Sequence, residues 1–191
     1  MDLHVIELPR DIRKSNIVQK FLSLREEIFV SKMGWHLNVF QGIEYEQYDR
    51  LNNTVYIILL ENDQVVGGAR LARCDWTSGQ GTVQYSYMIR DAHEGLIDLP
   101  HNICFKAPPT DANTWELTRL ISNSKKPHIT RILMAEANNF IMSKQGTSCL
   151  FLGPPAFMKM AQRFGYEPEA IGPIVSNEDG KFLAFKCSVK T

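Results

Sequence analysis

The stretch that most constrains this chain is TVYIILLENDQVVGGARL, Thr54 to Leu71. Two apolar runs flank the polar turn Glu61-Asn62-Asp63-Gln64, which reads as a β-hairpin. LHVIEL predicts a strand before it, stopped by Pro9. From Ser15, SNIVQKFLSLREEIFVSK predicts one helix, because Ile17, Phe21, Leu24 and Ile28 recur at spacings of three or four and Ser15 can cap the start. TVQYSYMI predicts a further strand, HEGLIDLPHNICFKAPPTDANT a loop, and TWELTRLIS a strand. HITRILMAEANNFIMSKQG predicts a helix with a glycine stop, and TSCLFLG a short, wholly apolar strand. PPAFMKMAQRFG predicts a helix with prolines in its first turn and Phe157, Met160, Ala161 and Phe164 on one face; KFLAFKCSV closes the chain as a strand. The order β, α, a run of strands, then β, α, β, α, β implies an α/β fold, a mixed sheet with helices packed on it in three layers, as a single domain over residues 1–191.

Composition removes several classes of function. The 21 basic and 21 acidic residues leave no net charge, so neither nucleic acid nor an anionic membrane surface is an expected partner. Cys74, Cys104, Cys149 and Cys187 form no C-x-x-C pair. They are expected to be reduced and packed as small hydrophobes, with no metal site. The N-terminus MDLHVIELPRDIRKSN carries charges throughout, unlike a signal peptide, and no apolar run approaches the ~18 residues of a membrane span. A cytoplasmic protein is the expectation.

Chemistry concentrates in four places. In LREEIFVSKMGWHL, Arg25 and Phe29 are four apart, on one helix face, and Trp35 lies just beyond, so a cation and two aromatics project from one region. Aromatic faces suit adenine stacking and attract a sulfonium or ammonium centre. EYEQYD crowds Glu44, Glu46 and Asp49 ahead of the hairpin. Arg70 follows Gly67 and Gly68, which admit a ligand or another backbone to close approach. In TWELTRL, Glu116 and Arg119 are three apart, and so face opposite sides of a regular strand unless a bulge intervenes.

In order and approximate spacing, the set Arg25, Phe29, Trp35, Glu46, Asp49, Arg70-Leu71 and Trp115-Glu116-Leu117-Thr118-Arg119 resembles the acyl-homoserine-lactone synthases, the autoinducer-producing enzymes of bacterial quorum sensing. It spans residues 25 to 119, and the later helix and strand pattern also fits the family's fold, which resembles that of the GCN5-related N-acyltransferases. The chain departs from the family pattern in having Glu46 where Asp is usual, and Thr118 and Leu120 where Ser and Phe are usual around the arginine. In FLGPPAF it also lacks a hydroxyl that the family associates with 3-oxoacyl donors, which favours an unsubstituted or otherwise atypical acyl group.

The resemblance implies that S-adenosylmethionine is acylated on its amine by a thioester of acyl carrier protein or coenzyme A. Lactonisation then releases 5′-methylthioadenosine, with S-adenosylmethionine as a substrate and no cofactor. It implies Glu116 as the catalytic base, and Arg25, Phe29, Trp35, Glu46, Asp49, Arg70 and Arg119 around S-adenosylmethionine. Glu46 and Asp49 would offset positive charge, Arg25 or Arg119 would pair with the carboxylate, and Arg70 would either touch substrate or hold the acids in place. Glu44 matches no family position and is expected to be a solvated turn residue. An acyl tunnel would draw on Phe105, Leu150, Leu152, Phe157 and Met160. An acidic carrier protein would meet Lys125, Lys126 and Arg131 at the start of the long helix, or Lys159 and Arg163 on the last one. Two alternatives stand beside this reading: a coenzyme-A-dependent N-acetyltransferase, whose pyrophosphate-cradling Arg/Gln-x-x-Gly-x-Gly/Ala loop is not found, and a non-catalytic sensor of S-adenosylmethionine or an acyl ligand.

Overall fold

The computed structural model describes residues 1–79, 81–123 and 127–190. Its strands in chain order are β1 (Asp2–Leu8), β2 (Val39–Phe40), β3 (Ile43–Glu44), β4 (Thr54–Glu61), β5 (Gln64–Arg73), β6 (Thr114–Ser122), β7 (Ser148–Gly153), β8 (Pro168–Ala170), β9 (Val175–Asn177) and β10 (Gly180–Ser188). The α-helices are α1 (Ser15–Arg25), α2 (Met88–His93), α3 (Pro127–Ser143) and α4 (Pro155–Arg163). The chain forms two compact units: Met1–Leu71 with Arg119–Ala137, and Ala72–Thr118 with Asn138–Thr191.

The first unit is built on the expected hairpin. β4 and β5 pair antiparallel from Glu61↔Gln64 to Val55↔Leu71. Asn62 and Asp63 form the two-residue turn with φ of 52° and 63°, the left-handed pair that matches the twist of a tight hairpin. β1 adds antiparallel to the other side of β4, with Leu8↔Thr54 and Asp2↔Leu60 in register. β4 is buried from Thr54 to Leu60, and α1 covers it with Val18, Phe21, Leu22 and Leu24.

Gly67 and Gly68 serve this packing. A Cβ at Gly68 would lie 2.6 Å from the Phe21 ring and 3.0 Å from the Ile57 carbonyl oxygen. At Gly67 it would lie 2.8 Å from the Ile121 carbonyl oxygen and 2.9 Å from Ile129. The close neighbours admitted by the two glycines are therefore α1, β4, β6 and α3.

The helix expected over residues 15–32 changes pitch partway. It is α-helical to Arg25 and π-helical over Glu26–Lys32. Ser31 Oγ donates to Glu26 Oε1 at 2.8 Å and Lys32 pairs with Glu27 at 2.5 Å. Both are i,i+5 pairs, the neighbours that a π-turn brings together. The short β2–β3 ladder, which strand-length periodicity does not announce, turns through Gln41 and Gly42 at φ 49° and 76°.

In the second unit, residues Thr114–Leu117 of β6 run parallel to Ser148–Phe151 of β7, β7 is antiparallel to β10, and β10 carries β8 and β9. Parallel and antiparallel pairs together make the mixed sheet of an α/β fold. Phe151 and Phe185 stack across β7 and β10, centroids 4.9 Å apart. α4 starts on Pro155 and ends at Gly165, where φ is +86°.

The strand expected over TVQYSYMI does not form. Ser78 and Tyr85 make a single antiparallel bridge, and the chain then enters α2 at Met88. The reason is not local. Asp91 accepts the Ser86 N–H at 2.9 Å, and Glu116 of β6 accepts those of Met88 and Ile89, so two carboxylates satisfy the amides that a strand would have paired. All four cysteines are buried free thiols, and burial pushes Cys104 up to about 11 and Cys187 up to about 12. None of the helices among the described residues is long and apolar enough to cross a membrane.

Gly68→Ala is expected to cost ~1–3 kcal/mol, since its methyl group must displace the Phe21 ring. A lower urea midpoint with an unchanged slope would register this; an unchanged midpoint would mean that the ring retreats freely.

Candidate functional site

Four separate stretches of the first unit bring charged side chains to one buried place. The C-terminal end of α1 supplies Arg25, and β3 with the turn after it supplies Glu44, Glu46 and Asp49. β5 supplies Arg70 and the last part of β6 supplies Arg119. Three guanidiniums meet three carboxylates.

Asp49 is the hub. Its two oxygens accept from Arg25 Nη1 at 2.7 Å and Nη2 at 2.9 Å, a bidentate pair. The Tyr56 hydroxyl donates to it at 2.9 Å, the Glu46 backbone N–H at 3.1 Å, and Arg70 Nη1 lies 3.1 Å away. Arg25 turns its Nε onto Glu44 at 2.5 Å. Glu46 bridges two arginines, taking Arg70 Nη2 on one oxygen at 2.6 Å and Arg119 Nη2 on the other at 2.8 Å. Arg119 Nη2 also reaches Glu44 at 3.3 Å.

Aromatic rings line the guanidiniums. Arg70 lies over Tyr48 at 5.4 Å and Arg119 over Phe29 at 5.2 Å. Phe29 in turn stacks on Trp35, with centroids 4.9 Å apart and planes 11° from parallel. The two aromatics expected to enclose a ligand therefore lie against one another, with a cation over Phe29.

These surroundings set the charge states. Burial alone would raise the Asp49 carboxyl, but Arg70 and Arg25 outweigh it and hold it well below its ordinary value. Glu46 is likewise lowered, burial being outweighed by Arg119 and Arg70. Burial, and then the Asp49 charge, push the Tyr56 phenol well above its ordinary value, so it stays a hydrogen-bond donor.

Glu116 belongs to the second unit and is 2% exposed. Its oxygens accept the backbone N–H groups of Met88 at 3.0 Å and Ile89 at 2.7 Å. Two amide donors fix the orientation of the carboxylate. Between Glu116 and Arg119 the strand does depart from regularity: Arg119 has φ +54°, left-handed for a residue with a side chain, so the two-residue alternation of β6 is interrupted at that position.

Several expectations need revision. Glu44, expected to be solvated, is fully buried between Arg25 and Arg119, because β3 turns it inward. Arg25, a candidate for a substrate carboxylate, is fully buried with its donors on Glu44 and Asp49. Arg70 pairs with the acids Glu46 and Asp49, one of the two roles expected of it. Tyr48 and Tyr56 also belong to the network and carried no such expectation. The signal for Glu44 was present: Glu44 and Glu46 are two apart in extended chain and so share a side.

Of the expected acyl-pocket residues, Leu150 is buried, and Leu152, Phe157 and Met160 are half-buried in the second unit. Phe105 is 68% exposed, so it lines no apolar interior here. Its segment is held by the Phe105 N–H on the Ile171 carbonyl, with the backbone at Ile103 pressed against Gly172. Lys159 and Arg163 are exposed on α4 and Arg131 is exposed on α3. Lys125 and Lys126 lie outside the described residues.

Residues 10–190 match the family model for autoinducer synthases. An acyl-homoserine-lactone synthase of Ralstonia solanacearum is 31% identical over 105 residues, which is 54% of this chain and 44% of that protein, so the match spans less than half of that relative's length. One from Acinetobacter nosocomialis is 23% identical over 170 residues, 82% of this chain and 84% of that protein. The solved structure of a CoA-dependent acyl-homoserine lactone synthase, BjaI, with SAM and isopentyl-CoA, aligns at a TM-score of 0.80 and 19% identity, covering 98% of this chain and 83% of that one. A Lactobacillus plantarum protein assigned as an N-acetyltransferase shares the fold at a TM-score of 0.64 and 11% identity, covering 100% of both chains.

Because Glu46 and Asp49 are held below their ordinary values of 4.5 and 3.8, the stability they confer is complete above that range and is lost as pH falls through the lowered values. The melting temperature is therefore expected to be flat above about pH 6 and to fall below about pH 5. Asp49→Asn should melt lower at neutral pH and show a shallower acid slope. An equal slope in that variant would place the acid sensitivity elsewhere.

Proposed function

This chain belongs to the autoinducer synthase family, and on that premise we propose that it joins S-adenosylmethionine to an acyl thioester and closes the product to an acyl-homoserine lactone. The observation that carries this reading is the convergence of Arg25, Glu46, Asp49, Arg70 and Arg119 on one buried network, with Phe29 and Trp35 stacked against Arg119. A charge-balanced cluster bordered by aromatic faces suits a ligand with an ammonium, a carboxylate, a sulfonium and an adenine ring.

In the first step the methionyl nitrogen attacks the thioester carbonyl, an amide bond forms, and the thiol leaves with a proton. The amine is mostly protonated near neutral pH, so a proton must first be removed. Glu116 is the candidate acceptor, directly or through a water. Its bonds from the Met88 and Ile89 amides keep it aimed. In the second step the carboxylate oxygen attacks its own γ-carbon. The carbon–sulfur bond breaks, the sulfonium becomes the neutral thioether 5′-methylthioadenosine, and the lactone closes. That step is intramolecular, so folding the methionyl chain is the main requirement. The two steps balance with S-adenosylmethionine as a substrate and need no cofactor.

The arginines divide by role. Arg25 and Arg70 hold the acids. Leu150, Leu152, Phe157 and Met160 supply apolar surface for the acyl chain, and the absence of a hydroxyl in FLGPPAF favours an unsubstituted one. The donor is a thioester of a carrier protein or of coenzyme A; exposed Lys159 and Arg163 suit an acidic carrier.

The test is to incubate the purified protein with S-adenosylmethionine and a panel of acyl-carrier and acyl-CoA thioesters, with mass spectrometry of the products. Lactone and 5′-methylthioadenosine in equal amounts are expected. An acylated product without 5′-methylthioadenosine would point to an N-acetyltransferase, and binding without turnover to a sensor. Glu116→Gln should slow single-turnover acylation ~100-fold or more while leaving S-adenosylmethionine affinity within about threefold; equal losses in both would make Glu116 a structural residue.

A further inference from the structure

The sheet of the second unit has two unlike faces. Residues paired across neighbouring strands share a face. Trp115 lies opposite Cys149 and Cys149 opposite Cys187, while Leu117 lies opposite Phe151 and Phe151 opposite Phe185. Gly153 and Leu183 pair on that same face. None of these side chains carries a charge or a hydroxyl. The other face carries Glu116, Leu150 and Lys186 in one row, and Leu152 with Ala184 in the next. The end of α3 covers the apolar face, where Phe140 meets the Trp115 ring edge-on at 5.5 Å. α4 covers it too, since a Cβ at Gly153 would lie 2.9 Å from the Phe157 ring. The residues expected around an acyl chain are therefore divided by the sheet. Leu150 and Leu152 stand on the Glu116 side, and Phe157 and Met160 belong to the helix over the other.

The two faces meet where the strands part. Among the described residues, parallel pairing of β6 with β7 runs from Thr114↔Ser148 to Leu117↔Phe151 and ends there, one residue past Glu116. A thioester carbonyl beside Glu116 is thus next to this opening, and its methylenes gain by passing through to the apolar face. That face is already filled at the point of entry. Phe151 is the last paired residue of β7, and its ring stacks on Phe185 with centroids 4.9 Å apart and planes 5° from parallel. The two residues are 6% and 1% exposed, so they occupy space rather than line a gap. Two residues on, the notch left by Gly153 is taken by the Phe157 ring. A packed interior does not yield room for added methylenes without displacing side chains.

Resting on the proposed function, we propose that the Phe151–Phe185 pair is an end wall that restricts the acyl donor to short chains. Amide formation needs only the carbonyl beside Glu116, which the wall leaves free. A short acyl group ends before the stacked rings, and each further methylene must push them aside. Discrimination of this kind is about 10-fold or more for one ill-fitting methylene. The pair sets specificity without touching the reacting atoms.

The test is a competition in one tube. S-adenosylmethionine is offered equimolar butanoyl, hexanoyl, octanoyl and dodecanoyl thioesters of coenzyme A, and then the same set on acyl carrier protein, with the lactones quantified by mass spectrometry. The wild-type chain is expected to favour butanoyl over dodecanoyl product by about 100-fold or more. Phe151→Leu and Phe185→Leu, which keep an apolar side chain and remove the flat ring, should each shift that ratio by about 10-fold or more toward the longer chains. The ratio is the informative readout, because a loss of folded enzyme lowers all products alike. Comparable use of dodecanoyl and butanoyl donors by the wild type would overturn the restriction and leave the proposed function standing. A short-chain preference that is unchanged in both folded variants would remove the stack as its cause. No lactone from any donor would overturn the proposed function, and this inference with it. The wild-type profile decides the restriction even if a variant fails to fold.

Discussion

The carboxylate of Asp49 is the point on which the first unit depends. Removing a charge from water costs several kcal/mol unless good partners replace the water. Here the replacement is assembled from distant parts of the chain: Arg25 at the end of α1, Tyr56 on β4, Arg70 on β5 and the backbone of its own turn. None of these contacts is worthwhile by itself, because a partly satisfied buried network is worse than an apolar one. The network therefore acts as a condition on the fold: α1, β3, β4, β5 and the end of β6 must all be in place before any one charge is adequately paired. Such a network confers specificity rather than raw stability, since well-packed apolar side chains of similar volume would stabilise at least as well.

The second unit solves a similar problem with neutral donors. Glu116 and Asp91 are buried carboxylates, but their partners are backbone amides of Ser86, Met88 and Ile89. The two arrangements have different chemical consequences. A carboxylate facing guanidiniums meets opposite charge at close range, whereas one facing backbone amides meets neutral donors.

Much of this was legible in the sequence, and the exceptions share a cause. The β4–β5 hairpin, α1, α3, β7, α4 and β10 follow from local periodicity and turn chemistry, which is information carried within each segment. TVQYSYMI looked like a strand because its Val, Tyr and Ile favour one; it entered α2 because Glu116, 27 and 28 residues away in sequence, takes the amides of Ile89 and Met88. Glu44 looked solvated because a charge beside a turn usually is, and only the fold brings Arg25 and Arg119 to it. The pitch change after Arg25 is similarly silent in the apolar spacing. Phe105 was an apolar residue in an apolar phrase, NICFKA, whose outward direction is set by the pairing of its backbone with Ile171. For TVQYSYMI, Glu44 and Phe105 a long-range polar contact decided what local pattern could not.

The side-chain length of Glu46 fits this geometry closely. Its two oxygens go to different arginines, Arg70 at 2.6 Å and Arg119 at 2.8 Å, while its own N–H is tied to Asp49 at 3.1 Å. The backbone at this point is therefore fixed by the hub, and the side chain must span from there to two guanidiniums on separate strands. A chain one methylene shorter, by about 1.5 Å, would have to draw β5 and β6 inward or give up one of the two contacts. The extra methylene lets one carboxylate link the arginine that holds the acids to Arg119. The length of Glu46 thus sets how far Arg119 stands from the hub.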